Sequence, residues 1–516
     1  MNNNNTPALL RSLIIYALCV PLAIWIGYLL AQPLDRENLI IAGIMALLLC
    51  APILLRWHHF LLIATWNLTI TIFFLPGKPQ IWLLMSCLSL GIAIVQRTVN
   101  SEMRFISAPQ ITLPVVYLVG VVLVTARLTG GIGLHSLGNA VSGGRNYFFI
   151  LIGIAGYFAM TSRRIPPNRA FLYVALFFLG GCTDAIGDLA PYVPSALYPI
   201  FLFFPVTGYD LESAFGAERN LRFSGFGQAG YDGFLCLLAV YGLRGIFLER
   251  KFWRVALLFL AGVFMLLGGF RSVLIMCVMV FAMQFFLERM QRTKLLPAFI
   301  FCGVIGVTLL IPFARYLPFT FQRSLAFLPL TIRTDARMDA QSTEDWRLQI
   351  WKNMLPQVPK YLLLGKGYAL NESVLQFGGI NGQVLNKVSE EQEIEDVGNY
   401  HSGPLSVVIP FGIWGVIAVL WLWVASLQVL YKNYRYGETK FLVVNAFLLA
   451  YYIAKIILFL VIFGGFFGDL PGFLALIALS LCLNNGIRRR APKQIVAPPA
   501  QTARTLTPHF QPFLQR

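Results

Sequence analysis

Charged residues are scarce in this sequence: Asp, Glu, Lys and Arg make up only 12% of its 516 residues, whereas hydrophobic residues make up 57%. Its apolar runs repeatedly reach the ~18 to 20 residues that a bilayer-spanning helix needs. The net charge of +17 would suggest nucleic-acid binding in a soluble protein. In a membrane protein, Lys and Arg instead concentrate in cytoplasmic loops. The sequence therefore predicts an all-α polytopic membrane protein with membrane lipids, and no nucleic acid, as partners.

Paired cysteines are also missing. The eight cysteines all lie in or at the ends of apolar runs, and no two form a CxxC pair. This distribution indicates neither a disulfide framework nor a zinc site.

The apolar runs predict a bundle of about fourteen transmembrane helices. The first run follows Arg11, is too long for the hydrophobic part of a signal peptide and ends in no cleavage motif, so we interpret it as an uncleaved span. The runs begin near residues 12, 39, 59, 80, 109, 146, 169, 226, 253, 272, 295, 403, 441 and 468.

Alternate connections between these spans are rich in Lys and Arg, which predicts that they and both termini are cytoplasmic. The predicted regions are N-terminal helices over 1–314, with an outer loop near 183–225, a large outer loop over 315–402, C-terminal helices over 403–486, and a basic, disordered cytoplasmic tail over 487–516.

The large outer loop contains the helix-like stretch "TEDWRLQIWKNMLPQV", whose aromatic and aliphatic residues recur at helical spacing. It could pack on the core of the loop or lie at the membrane surface, where Trp is favoured. Further along, the acidic segment 390–396 could hold a metal ion, but a solvated acidic loop is the favoured interpretation.

Three ionisable residues are predicted to meet on the outer face. Arg222 precedes a span, Arg271 lies at the tip of a tight helical hairpin, and His401 starts the span after the large loop. Each alone could be structural, as a helix cap, a snorkelling side chain or a helix-end histidine. Ionisable groups at the membrane edge are costly, so their joint presence favours a functional site.

This combination suits transfer from a phosphate-bearing lipid. Guanidinium groups match phosphate oxygens two at a time, and a neutral imidazole can take a proton from an attacking hydroxyl. Lys455, within a span, and Arg347 are possible supporting residues, although Lys455 could instead pair with an acidic group. No acidic pair with metal-ligand spacing lies beside these residues, so we expect arginines to neutralise the charge, with neither metal nor cofactor.

Four stretches resemble the O-antigen ligase and polymerase superfamily of bacterial membrane glycosyltransferases: "RFSGFGQAGYDG", "GGFRSVLIMCVMVF", "TEDWRLQIWKNMLPQVPKYLLLGKGY" and "HSGPLSVVIPFGIWGVIAVL". They extend over about two-fifths of the chain, from Arg222 to Leu420. Phe270 and Ser402 depart from the residues that many members carry there, Ser and Asn respectively, which leaves the charge chemistry intact and puts the acceptor in doubt.

The resemblance implies a GT-C-like bundle in the bacterial inner membrane, with the large loop and the active site in the periplasm. It implies a lipid-diphosphate-linked oligosaccharide or polysaccharide donor, of the undecaprenyl-diphosphate type, and no metal. Arg222 and Arg271 fall where the family binds diphosphate, and His401 falls on its catalytic histidine.

The acceptor stays open at this point. It could be lipid A core, as in an O-antigen ligase of lipopolysaccharide assembly, another lipid-linked glycan, as in a polymerase, or a protein hydroxyl; we favour the ligase by a small margin. A transporter of lipid-linked glycans would also bind diphosphate through arginines. The sequence shows no paired halves of the transporter kind, and the long one-sided loop fits an enzyme better.

Overall fold

The computed structural model describes residues 36–488, except 76, 103, 131–143, 207–221, 294, 369–397 and 399, together with seven residues between 16 and 27. The described residues form helices and no β-strand, so the chain is an all-α polytopic membrane protein. The helices are α1 Arg36–Leu49, α2 Ala51–Thr65, α3 Ile81–Val99, α4 Pro109–Thr129, α5 Gly144–Met160, α6 Ala170–Leu179, α7 Ser224–Phe247, α8 Phe252–Leu267, α9 Arg271–Leu287, α10 Leu295–Phe313, α11 Phe319–Ser324, α12 Thr334–Met354, α13 Val358–Tyr361, α14 Gly403–Tyr436, α15 Leu442–Ile457 and α16 Phe466–Asn484.

Within the described residues, eight helical segments are long and apolar enough to cross a membrane, and α8 and α9 are shorter apolar helices. Two expected spans differ from the prediction: α1 and α2 meet at 85°, so together they form one bent pair. The described residues alone therefore account for fewer spans than the fourteen predicted, and the total number of spans stays a prediction.

The expected span near residue 169 begins as α6 and continues as a 3₁₀ segment, Gly180–Tyr192. This segment packs closely against the start of α7, because a Cβ on Gly225 would lie 2.2 Å from the carbonyl oxygen of Asp184. A 3₁₀ run of this length is uncommon, because its i→i+3 hydrogen bonds have poorer geometry than those of an α-helix.

Two glycines bring the helical hairpin α8–α9 against α7. A Cβ on Gly227 would lie 2.7 Å from the Cα of Gly268, so the two backbones touch at the tip of the hairpin. The next residues of the tip, Gly269 and Phe270, lead directly into Arg271. This contact fixes the start of α7, and therefore Arg222, beside the start of α9.

The segment between α10 and α14 contains α12, which confirms the helix expected for "TEDWRLQIWKNMLPQV". Ile350 and Met354 of α12 are buried against Tyr400, Leu405 and Ile409, at the start of α14. The apolar side of α12 therefore packs on Tyr400 of the predicted loop and also on α14, so the interpretation that it packs on the core of the loop is met only in part.

The chain that follows α13 is hydrogen-bonded to a break in the helical backbone of α14. Gly412 has φ 60°, and the backbone N–H of Ile413 donates to the carbonyl oxygen of Leu362 at 2.7 Å. The N–H groups of Lys366 and Gly367 donate to the carbonyls of Ile409 and Pro410, at 2.7 and 3.0 Å. The stretch "LLLGKGY" therefore docks on α14 through its backbone, which anchors the polar segment that includes α12.

Candidate functional site

Arg222 stands just before α7, and only 11% of its side chain is exposed. Its Nη2 lies 3.3 Å from Oδ2 of Asp339, in the second turn of α12. The side chain therefore leaves the bundle and reaches the polar helix of the large loop.

Arg271 is the first residue of α9, at the tip of the expected hairpin. Its side chain is 15% exposed, its Nη2 donates to the carbonyl oxygen of Ala340 at 2.9 Å, and its Nη1 forms an ion pair with Glu344. Because Ala340 follows Asp339 directly, Arg222 and Arg271 reach the same part of α12.

A third arginine, Arg323 of α11, joins them and was missed by the sequence interpretation. Its side chain is 8% exposed, forms an ion pair with Asp339 and donates to Oγ1 of Thr343 at 3.3 Å. Asp339 therefore bridges Arg222 and Arg323. A signal existed, since Arg323 is one charged residue in the otherwise uncharged stretch "YLPFTFQRSLAFLPLTI".

Together these residues form the arginine cluster: Arg222, Arg271, Arg323, Asp339 and Glu344. Three guanidinium groups face two carboxylates, so the cluster carries one excess positive charge. The sequence interpretation also missed these carboxylates, because it considered α12 only for its aromatic and aliphatic spacing. A diphosphate bound here would compete with the two carboxylates for guanidinium donors.

His401 lies just before α14, with φ 48° in the left-handed region that non-glycine residues seldom adopt. Its ring lies 5.0 Å from the Trp346 ring and 5.4 Å from the Phe463 ring, between centroids. Its Nδ1 is buried and has no hydrogen-bond partner in the described part of the chain. The two aromatic rings hold the imidazole at the junction of α12 and the bundle.

Burial, followed by the positive charge of Arg347, lowers the pKa of His401 from 6.5 to about 4. At neutral pH the imidazole is therefore neutral and can accept a proton. The Arg347 guanidinium carbon lies 5.2 Å from the centroid of Phe463, which also contacts His401. Arg347 is therefore part of the surroundings of His401.

Helix α12 connects the arginine cluster to His401. Ala340, Glu344 and Arg347 share one face of the helix, because they are spaced by four and three residues. Trp346 follows Asp339 by seven residues, which corresponds to about 10 Å along the helix axis. The structure therefore brings Arg222, Arg271, Arg347 and His401 to a single helix.

Lys455 lies elsewhere. Its Nζ is 2.6 Å from Oδ1 of Asp469, whose Oδ2 accepts from the backbone N–H of Gly465 at 3.0 Å. Of the two interpretations of Lys455, pairing with an acidic group is the one observed. The acidic segment 390–396 lies outside the described residues.

Comparison with known proteins then points to a family. Residues 233–420 match the O-antigen ligase family model. The match confirms the resemblance to the O-antigen ligase and polymerase superfamily. A search of curated proteins found no match.

The O-antigen ligase match covers less than half of the chain. The matched residues include Arg271, helix α12 and His401. It indicates a ligase-like or polymerase-like function of the glycosyltransferase kind, with lipid-linked glycans and membrane lipids as general partners. Arg222 and Lys455 lie outside the matched residues.

Proposed function

We propose that the protein is a metal-independent glycosyltransferase that moves a glycan from an undecaprenyl-diphosphate-type lipid to an acceptor hydroxyl. The observation that carries this proposal is the arrangement along α12, with three arginines at one end and a neutral histidine about two turns away. Guanidinium groups suit diphosphate, and a neutral imidazole suits proton transfer.

In the proposed reaction, Arg222, Arg271 and Arg323 bind the diphosphate of the donor. His401 takes the proton of the acceptor hydroxyl while its oxygen forms a bond to the anomeric carbon. The bond from that carbon to the diphosphate oxygen breaks, and the lipid diphosphate leaves with the electron pair. Its added negative charge is stabilised by the arginines, the role that a divalent ion has in other transferases.

We further propose that the bundle is GT-C-like and lies in the bacterial inner membrane, with both termini cytoplasmic and the site periplasmic. The distribution of Lys and Arg among the connections supports this orientation. The acceptor is proposed to be lipid A core, which makes the protein an O-antigen ligase. A polymerase of the same superfamily needs the same donor site and differs only in its acceptor.

The test is glycan transfer from the lipid-diphosphate-linked donor in liposomes, with EDTA present. We expect product from the wild type and none from His401→Ala, because that variant lacks the proton acceptor. His509→Ala, in the predicted tail, is the matched control and should transfer normally. Full transfer by His401→Ala, or loss of wild-type activity in EDTA, would contradict the proposal.

The same assay separates the acceptors. Lipid A core and a second lipid-linked glycan are supplied in parallel, and the acceptor that becomes elongated distinguishes ligase from polymerase. Arg222→Ala and Arg271→Ala should raise the donor KM, since each removes a diphosphate ligand. Donor bound and moved across the bilayer by the wild type, with no product on either acceptor, would favour the transporter.

A further inference from the structure

A polar cavity of about 470 Å³ lies inside the helical bundle. Its lining comes from the connection after α2, the start of α3, the 3₁₀ segment Gly180–Tyr192, the first turns of α7, and helices α5, α6, α15 and α16. Gln228, in its wall, lies in the second turn of α7, the helix that Arg222 precedes. The cavity therefore lies near the end of α7 that Arg222 precedes.

Much of the lining is polar, although it belongs to membrane helices. It includes the carboxylates of Asp184 and Asp232 and the amides of Asn67, Gln80 and Gln228. The Nε2 of Gln228 donates to Oδ2 of Asp232 at 2.9 Å. Polar groups at membrane depth are costly, and they are found mainly where they contact a substrate or line a wet cavity.

The bundle makes room for these polar groups. A Cβ on Gly181 would lie 1.9 Å from Oδ2 of Asp232, so a side chain there would expel the carboxylate. On the other side, the rings of Trp66 and Trp82 lie 5.2 Å apart, and the Nε1 of Trp82 donates to Oε1 of Gln80 at 2.8 Å. The cavity therefore combines aromatic walls with oriented amides and carboxylates.

This lining selects the class of ligand. A phosphate is poorly matched, because the described lining brings two acidic side chains, Asp184 and Asp232, and a single lysine, Lys455, which is already bound to Asp469. Across the part of the chain that the structure describes, no group of three or more His, Cys, Asp or Glu residues could hold a metal ion. A lipid tail would place hydrocarbon against the polar side chains of Gln80, Gln228 and Asp232, at a cost in desolvation.

A sugar residue fits better on each count. Its hydroxyls both donate and accept, so they match the carboxyl groups and the amides of the lining. Its C–H faces are apolar and can pack on indole rings. The volume also falls within the ~300 to 1,000 Å³ of ordinary ligand pockets.

We propose that this cavity is a saccharide subsite that takes one or two neutral sugar residues of the glycan. The proposal rests on the proposed function, which requires a glycan beside the arginine cluster. Those sugar residues could belong to the donor or to the acceptor, since both are glycans. The subsite would hold the chain while His401 acts on the reacting end.

Gly468 provides a way to fill the cavity. It lines the cavity in the first turn of α16, and nothing lies within 4 Å of a Cβ built on it. Gly468 is itself exposed, so Gly468→Leu should narrow the open side of the cavity without a clash. Gly303→Leu is the matched control, because Gly303 is exposed on α10 and also has nothing within 4 Å of its Cβ.

The experiment measures binding of two free glycans to the full chain in nanodiscs, by saturation-transfer NMR and calorimetry. One is released from the lipid-linked donor and freed of phosphate, and the other is the deacylated oligosaccharide of the acceptor. We expect one of them to bind the wild type and Gly303→Leu equally, and Gly468→Leu at least about tenfold more weakly. Asp232→Asn, which keeps the shape, should weaken binding about fivefold.

The proposal is overturned if neither glycan binds the wild type at millimolar concentration. Equal binding by wild type and Asp232→Asn, together with equal binding by Gly468→Leu, would overturn it as well. Binding needs no transfer, so the two proposals can fail separately. If His401→Ala still transfers and the glycan binds normally, only the proposed function is removed. If transfer depends on His401 but no glycan binds, only the subsite is removed.

Discussion

Asp339 has two arginine partners, and its carboxylate is where a diphosphate oxygen would be expected. Both Arg222 and Arg323 are largely buried, and a buried cation needs a counter-charge. Asp339 supplies this charge and keeps the guanidinium groups in place, and under the proposed function it would also compete with the donor.

Removing the Asp339 charge should therefore tighten diphosphate binding. We expect Asp339→Asn to lower the Kd for inorganic pyrophosphate about fivefold, since a partly exposed ion pair contributes up to about 1 kcal/mol. Asp345→Asn is the control, because Asp345 is exposed on the same helix. Calorimetry in detergent measures both, and weaker binding by Asp339→Asn would show that its charge organises the arginines more than it competes.

The pKa of His401 predicts the pH dependence of transfer. A proton acceptor must be neutral, and with a pKa of about 4 His401 loses this form only as the pH falls toward 4. We expect kcat/KM to stay level from pH 8 to about 5 and then to decline. In Arg347→Gln the decline should begin at higher pH, because the positive charge that lowers the pKa is gone.

This profile is measured with the donor at concentrations well below KM, so that the free enzyme is observed. Lys352→Gln, on the same helix, controls for a general change of charge. If the decline in kcat/KM begins at the same pH in Arg347→Gln as in the wild type, Arg347 is excluded as a cause of the lowered pKa of His401.

At the scale of elements, the contact between α7 and the tip of the α8–α9 hairpin sets the distance between Arg222 and Arg271. Backbones that touch leave no room for a side chain, so the register of the two elements depends on Gly227 and Gly268. The site is thus positioned by helix packing as much as by its own ion pairs.

Gly227→Val should separate the two elements and misplace Arg222. We expect at least tenfold less transfer and a lower Tm, since overpacking typically costs about 1–3 kcal/mol. Gly233→Val is the control on the same helix, because the nearest atom to its Cβ, on Ala261, is 4.0 Å away. Thermal unfolding and transfer are measured together, and near-normal values for Gly227→Val would show that the contact can relax.

At the scale of the molecule, the proposed orientation places α12 in the periplasm and the Arg-rich connections in the cytoplasm. We expect an impermeant maleimide to label Ser342→Cys in intact spheroplasts, and Ser101→Cys only after lysis. Both positions are exposed, and the native cysteines are first replaced by serine. Labelling with the opposite pattern would reverse the orientation of the whole bundle.

Much of this architecture could be predicted from sequence, because long apolar runs have few alternatives to membrane helices. The hairpin that carries Arg271 is such a case, whereas the helical stretch within α12 was predicted from the helical spacing of its aromatic and aliphatic residues. The pairing of Arg323 with Asp339 could not be predicted, since no local pattern records which distant charge a side chain meets. The break in α14 and the polar cavity were missed for the same reason: their partners are far apart in sequence.

Helix α12, which connects the arginine cluster to His401, also sets a fixed distance between them. Its rigid backbone fixes the separation between the arginines proposed to bind the leaving phosphates and the histidine proposed to take the proton of the acceptor hydroxyl. If the same arginines bound a glycan linked to lipid through a single phosphate, its anomeric carbon would lie farther from His401 by the length of one phosphate group. Discrimination between diphosphate and monophosphate carriers would then come from a distance along a helix, with no side chain that contacts the additional phosphate specifically.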